Sequence, residues 1–175
     1  MVLRPATHAD VPAIEELIQL SARALSRGYY DEQQIEAAVA HVYGVDTALL
    51  HDGTFFVVER ADGLLAGCGG WSKRRTLFGG DRYAARDAGF SDPAVEPAKI
   101  RAFFVHPDAA RAGLGRTLLA KCEAEAKSAG YRRVELMSTL PGIPFYESCG
   151  YSAAERVFLP VGDAQLEFLP MTKLL

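Results

Sequence analysis

Two arginines and two glycines stand within one short run, Arg111-Ala112-Gly113-Leu114-Gly115-Arg116. An apolar, strand-like stretch from Ile100 to Val105 leads into it through His106-Pro107-Asp108, and Leu118 and Leu119 continue as the first turns of an amphipathic helix. A strand that turns into a helix here aims free backbone N–H groups and the positive end of a helix dipole at one point, which suits phosphate. The G-x-G spacing lets a ligand approach the main chain with no Cβ in the way. Arginines on either side add charge-assisted hydrogen bonds. A Rossmann fingerprint would need a third glycine where Leu118 stands, and a P-loop would need Gly-Lys-Ser/Thr, which the chain lacks. An ordinary glycine-bearing turn before a helix is the remaining local reading.

A second segment follows about thirty residues later, room for one helix and one strand. It runs from Glu135 to Tyr151 and contains Phe145-Tyr146-Glu147 and then Gly150-Tyr151. Gly150 suits the left-handed residue that closes a helix. A phenol of pKa about 10 can protonate a leaving thiolate of comparable basicity while staying neutral at pH 7. Packing in the core is the structural alternative for Tyr146.

The ordered pair resembles the two signature motifs of the GNAT superfamily of N-acetyltransferases: an acyl-CoA pyrophosphate loop, then a Phe-Tyr-Glu helix ending in Gly-Tyr. The resemblance covers nearly the whole chain. It implies an α/β (α+β) fold with a mixed, mostly antiparallel seven-stranded sheet, about four flanking helices and splayed central strands. It implies acetyl-CoA or coenzyme A as co-substrate, no metal, and transfer to a primary amine of a small molecule or peptide by direct attack in a ternary complex. Phe103, Phe104 and Val105 would bind the pantetheine arm. Arg111, Ala112, Gly113, Leu114, Gly115 and Arg116 would cradle the pyrophosphate. Tyr146 would be the catalytic acid, and Tyr29, Tyr30 and Trp71 the acceptor contacts.

The chain departs from the family pattern at three places. Lys99 stands where some relatives carry a basic glutamate, so Glu59, Glu96 and Glu135 are the alternatives for a base. A base matters because a lysine-like amine of pKa about 10.4 is neutral only about once in two thousand molecules at pH 7. Ala110 replaces the usual arginine or glutamine before the loop, with Arg111 one place later. Thr139 replaces the usual asparagine before the tyrosine, and its hydroxyl would serve in part as a cofactor contact. A non-catalytic acyl-CoA sensor is the competing reading, and a longer acyl group, set by the pocket near Phe103 and Phe104, is a third.

The positioning elements follow from periodicity and turn chemistry. Val2 to Pro5 reads as a strand, and Thr7 with Asp10 starts a helix carrying Val11, Ile14, Ile18 and Leu25 on one stripe. A second helix begins at Asp31 with Gln34, after the link Gly28-Tyr29-Tyr30. Thr54–Glu59 and Leu64–Ser72 form a hairpin about Asp62-Gly63. Residues 72–98 make a long loop, read as a lid whose Lys73-Arg74-Arg75 would attract an acidic substrate or a CoA phosphate, or as a solvated loop. Residues 133–138 form the next strand, and 153–160 with 165–174 a final hairpin. The unit is one domain, 1–175.

Composition limits the alternatives. A net charge of −3 argues against general nucleic-acid binding. With 49% hydrophobic and 23% charged residues the chain reads as globular. No apolar run approaches membrane-spanning length, and Met1-Val2-Leu3-Arg4-Pro5 lacks a signal-peptide core. Cys68, Cys122 and Cys149 make neither a metal pattern nor an even disulfide set, nor do the four histidines suggest zinc. The expectation is a reduced, cytoplasmic protein without membrane or nucleic-acid partners. Similar proteins form homodimers through the final strand.

Overall fold

The computed structural model describes residues 1–175. One sheet of eight strands runs through it, covered by helices on both faces. The strands are β1 (Val2–Pro5), β2 (Phe55–Glu59), β3 (Leu65–Ser72), β4 (Ala98–Val105), β5 (Arg133–Thr139), β6 (Ser152–Ala153), β7 (Val157–Val161) and β8 (Ala164–Leu174). Their order is β1-β2-β3-β4-β5-β8, with β6 and β7 sharing the other edge of β8. The helices are α1 (Val11–Leu25), α2 (Glu32–His41), α3 (Thr47–His51), α4 (Leu114–Ser128) and α5 (Ile143–Ser148).

The sheet has one more strand and one more helix than expected. α3 is a single turn capped by Asp46, whose carboxylate accepts from the Ala48 N–H at 3.2 Å. Strand β6 is two residues long. Neither is long enough to show a period in sequence. The first helix also starts later than Thr7. His8–Asp10 forms a 3-10 turn, and the Asp10 carboxylate accepts from the Thr7 N–H at 2.7 Å and from Arg4. The Asp31–Gln34 capping box forms as the sequence predicts, with bonds of 2.8 and 3.0 Å.

All neighbouring strands are antiparallel except β4 and β5. That parallel pair joins only at Ala98–Val134 and Lys99–Glu135. Beyond these residues the two strands part, and the gap is the cleft. The register between β3 and β4 skips at Cys68/Gly70, so Ala102 and Phe103 together oppose Gly69. Ala102 takes φ +55 at this bulge, a left-handed conformation rare for alanine. A bulge re-aims side chains: Phe103 and Val105 pack with the α4 layer, Ala102 and Phe104 with the α1 layer. Gly69 permits it, because a Cβ there would lie 2.7 Å from the Phe103 ring.

Three apolar clusters fix these elements. Leu118, Leu119, Cys122 and Ala126 of α4 pack on Phe56, Ile100, Val134 and Leu136. Ile14, Leu17 and Ile18 of α1 pack on the opposite face with Phe55, Val57 and Cys68. Ala38 and Val42, on and just after α2, cover Val161, Leu166 and Phe168.

Candidate active site

The cleft between the diverging strands has a volume of roughly 650 Å³. This lies within the range of small-molecule and cofactor sites. Its first wall is the turn before α4. Arg111 has φ +64 and Gly113, the residue that starts α4, has φ +80. Two left-handed residues so close together turn successive N–H groups to one side, the geometry of an anion nest. The N–H groups of Arg111 through Arg116 find no acceptor within the protein. Gly113 is needed for its backbone angle, since a Cβ there would meet open space. Gly115 has a different role, giving room to Phe145, whose ring lies 3.2 Å from where a Cβ would stand.

Most of the residues expected at the cofactor end line this cleft: Phe103, Phe104, Val105, Arg111, Gly113, Leu114, Gly115, Arg116 and Thr139. Ala112 does not line it and contributes its main chain to the turn. Arg116 is held toward α5 by bonds to Ser148 Oγ (3.1 Å) and Ser148 O (3.3 Å). Val105, expected to offer a free N–H, donates to Ser21 Oγ at 3.3 Å.

Tyr146 enters the same cleft from α5. Phe145 and Tyr151 hold its ring edge-on, with centroids 5.0 and 5.6 Å away. It is 9% exposed, and its hydroxyl makes no hydrogen bond within the protein. Burial pushes its phenol above the ordinary value of about 10. Tyr146 therefore stays protonated across the neutral range, ready to donate.

The expected acceptor contacts divide. Tyr29 lines the cleft and is half-exposed. Tyr30 does not: its side chain turns inward, donating to Glu167 O at 2.5 Å and accepting from the Leu140 N–H at 3.0 Å. It ties β8 to the start of the Leu140–Gly142 turn, and burial raises its phenol to about 12. Trp71 lies elsewhere, edge-on to Tyr131 at 6.1 Å with its indole N–H on Glu125. Adjacent strand residues face opposite sides, and Trp71 falls on the α4 side.

None of the three candidate bases reaches the cleft. Glu59 pairs with Arg4, Glu96 with Arg75 and Glu135 with Lys99. Across the whole lining there is no Asp, Glu, His or Lys, and the charged residues are Arg101, Arg111 and Arg116.

The long loop is laced down, with its basic trio engaged inside the protein. Arg74 makes twin 2.7 Å bonds to Asp52, Arg75 pairs with Glu96, and Lys73 lies over the Phe90 ring at 5.4 Å. The Gly80 and Asp81 N–H groups donate to Val42 O and Val45 O. Leu77 to Gly80 thereby become a wall of the cleft.

Sequence reasoning missed Arg101 and Tyr43. Arg101 is 4% exposed; its Nη2 meets Asp46 Oδ2 at 2.5 Å and donates to Gly79 O at 2.6 Å. Asp46 also holds Arg86 at 2.8 Å. The Nε and Nη1 of Arg101 and the Tyr43 hydroxyl are buried without partners. Desolvation lowers the Arg101 guanidinium to about 10 despite Asp46. A charged residue inside the apolar run Ile100-Arg101-Ala102-Phe103 was the one available signal; Tyr43 carried none.

The fold recurs among solved structures. A GCN5-related N-acetyltransferase from Rhodopseudomonas palustris is similar with a TM-score of 0.74 at 20% identity, over 99% of this chain and 95% of that one. The PaiA N-acetyltransferase of Thermoplasma acidophilum, in complex with coenzyme A, has a TM-score of 0.67 at 18% identity, over 99% and 98%. A ribosomal-protein-alanine N-acetyltransferase from Brucella melitensis has a TM-score of 0.65 at 20% identity, over the full length of both. No curated protein matches the chain in sequence. The family model of the acetyltransferase (GNAT) family matches residues 14–151, and the chain belongs to that family.

Proposed function

We propose that this chain transfers an acetyl group from acetyl-CoA to a primary amine of a small molecule or peptide, by direct attack within a ternary complex. The observation that carries the reading is that the Arg111–Arg116 turn, whose N–H groups have no acceptor in the protein, and Tyr146 line one cleft between splayed strands. The loop amides and Arg111 take the pyrophosphate, and the unpaired stretch of β4 takes the pantetheine arm. Acetyl-CoA supplies the activated thioester carbon. The amine nitrogen bonds to that carbon, the carbon–sulfur bond breaks, the departing thiolate takes the Tyr146 proton, and the proton shed by the acylated nitrogen restores the Tyr146 phenol through water. Holding both reactants in line can contribute up to about 7–11 kcal/mol.

With no carboxylate or histidine on the lining, an acceptor ammonium first gives its proton to water, and the neutral amine attacks. An α-amino group of pKa about 7.7–8.0 is far better placed for this than a lysine-like amine. Neighbours of this fold were solved with coenzyme A and with acetyl-CoA, which supports the co-substrate.

The test incubates the purified chain with acetyl-CoA and a panel of primary amines, following free thiol and N-acetylated product together. Equimolar thiol and amide is the expected result. Acetyl-CoA binding without amide across the panel would establish the sensor reading instead.

A further inference from the structure

The cleft has two cationic regions, and the transferase reading uses one of them. Arg111 and Arg116 flank the amides proposed for the pyrophosphate. Arg101 sits on β4 at the start of the gap, before the Ala102 bulge, beside the Leu77–Gly80 wall. Its guanidinium is committed on one nitrogen only. Nη2 donates to Gly79 O and lies 2.5 Å from Asp46 Oδ2 as an ion contact, while the Nε–H and both Nη1–H groups, and Asp46 Oδ2 itself, have no hydrogen-bond partner in the protein. Such donors on a buried, charged side chain are costly to leave unmet. Tyr43 lines the same cleft, and its hydroxyl is likewise buried without a partner, its ring fixed edge-on to Phe104 at 5.5 Å.

Asp46 does not exhaust Arg101, because it approaches Nη2 alone, while its other oxygen receives Arg86 and the Ala48 N–H. No acidic side chain lines the cleft to repel an anion or to hold a purely cationic amine. We propose that Arg101 determines acceptor specificity, and that the acceptor is a small amine carrying a carboxylate, bound toward the Arg101 guanidinium and the Tyr43 hydroxyl. This rests on the transferase reading above. A purely structural Arg101, anchoring Asp46 and Gly79, would treat a carboxylate and its neutral amide alike.

The experiment compares amino acids with their own carboxamides as acceptors. Rates are taken per unprotonated amine, since a carboxamide lowers the pKa of its neighbouring amine. The native chain should favour the carboxylate by about tenfold or more in kcat/KM, the gain of a charge-assisted hydrogen bond over a neutral one. Arg101→Gln should bring that preference within about threefold, with Arg101→Lys retaining part of it. The ratio does not depend on how much of a variant folds, because both acceptors meet the same active molecules. Tyr43→Phe should weaken the acid and its amide alike, several-fold, and so keep the preference. Equal use of acid and amide by the native chain, or a preference undiminished in Arg101→Gln, would overturn the proposal. If no acceptor is turned over, the transferase reading fails on its own. The same pairs titrated into the CoA-loaded protein then decide the carboxylate question: tighter binding of the acids supports it, and equal binding refutes it.

Discussion

At the end of the cleft assigned to CoA the donors are main-chain N–H groups on consecutive residues, Arg111 to Arg116. At the opposite end they are two side chains, Arg101 on β4 and Tyr43 in the segment after α2, beside the wall formed by Leu77 to Gly80. The first end needs two left-handed residues and a helix start, and no side chain decides it. The second depends on one buried carboxylate, Asp46, that holds Arg101 and Arg86 and caps α3. An amide cradle can accept any phosphate of the right shape. An arginine whose donors are only partly met discriminates between acceptors that have an anion and those that do not.

Tyr146 belongs with the first end, and its loss should have the largest effect. Tyr146→Phe is expected to lower kcat by about 10²–10⁴, the range of acid–base catalysis, while the acetyl-CoA KM stays within about threefold. Because burial holds the phenol above its ordinary value, the native chain should show no descending pH limb up to about pH 10. Its ascending limb should follow the amine pKa of whichever acceptor is used, as the lining offers no base of its own. A descending limb near about pH 8 would remove Tyr146 from the role of acid.

Breaking the second end should show first as lost stability. Asp46→Ala leaves the buried Arg101 uncompensated, at a cost of about 3–5 kcal/mol. For a chain of this length that is roughly 6–20 °C in Tm. CoA affinity of the folded fraction should be nearly unchanged. Gly113→Asp is the converse experiment. Aspartate tolerates positive φ better than most residues, but it sets a carboxylate beside the proposed pyrophosphate site. CoA affinity should fall about tenfold, with Tm within a few degrees of the native value. If Gly113→Asp destabilised the chain and left CoA binding intact, the division between the two ends would be wrong.

The smallest effect concerns acid. Arg74 holds the Asp52 carboxyl below its ordinary value, and Arg75 does the same for Glu96, down to about 2. A carboxyl lowered on folding contributes stability that is present above its unfolded pKa, near about 4, and is lost as pH falls below it. Hydrogen exchange at about pH 3.5, corrected for intrinsic rates, should show residues 73–96 losing protection before residues 118–126 of α4. Simultaneous loss would show that the lacing of the loop is not electrostatic.

How much of this could be read from sequence follows the same division. The phosphate loop and Tyr146 lie on contiguous motifs, so their spacing is visible in one line of residues. The parallel β4–β5 gap came with the family resemblance. The opposite end is assembled across long separations, as in Arg101 with Asp46, and no local pattern records such pairings. Tyr29 and Tyr30 differ by one residue, yet one faces the cleft and the other the interior. Trp71 shows the same difficulty on a strand, where alternation chooses the face and sequence alone does not say which. The Ala102 bulge left no mark because alanine is an unusual residue at positive φ.

The central claim is that the Arg111–Arg116 turn and the splayed β4 together bind acetyl-CoA. Thermal unfolding with acetyl-CoA, CoA and ATP tests it most directly. A ligand at a hundred times its Kd adds about 2.7 kcal/mol, roughly 5–11 °C for a domain of this size. The account predicts that shift with acetyl-CoA and CoA and none with ATP, which has phosphates but no pantetheine arm to lie along β4. No shift with acetyl-CoA at millimolar concentration, or an equal shift with ATP, would contradict it.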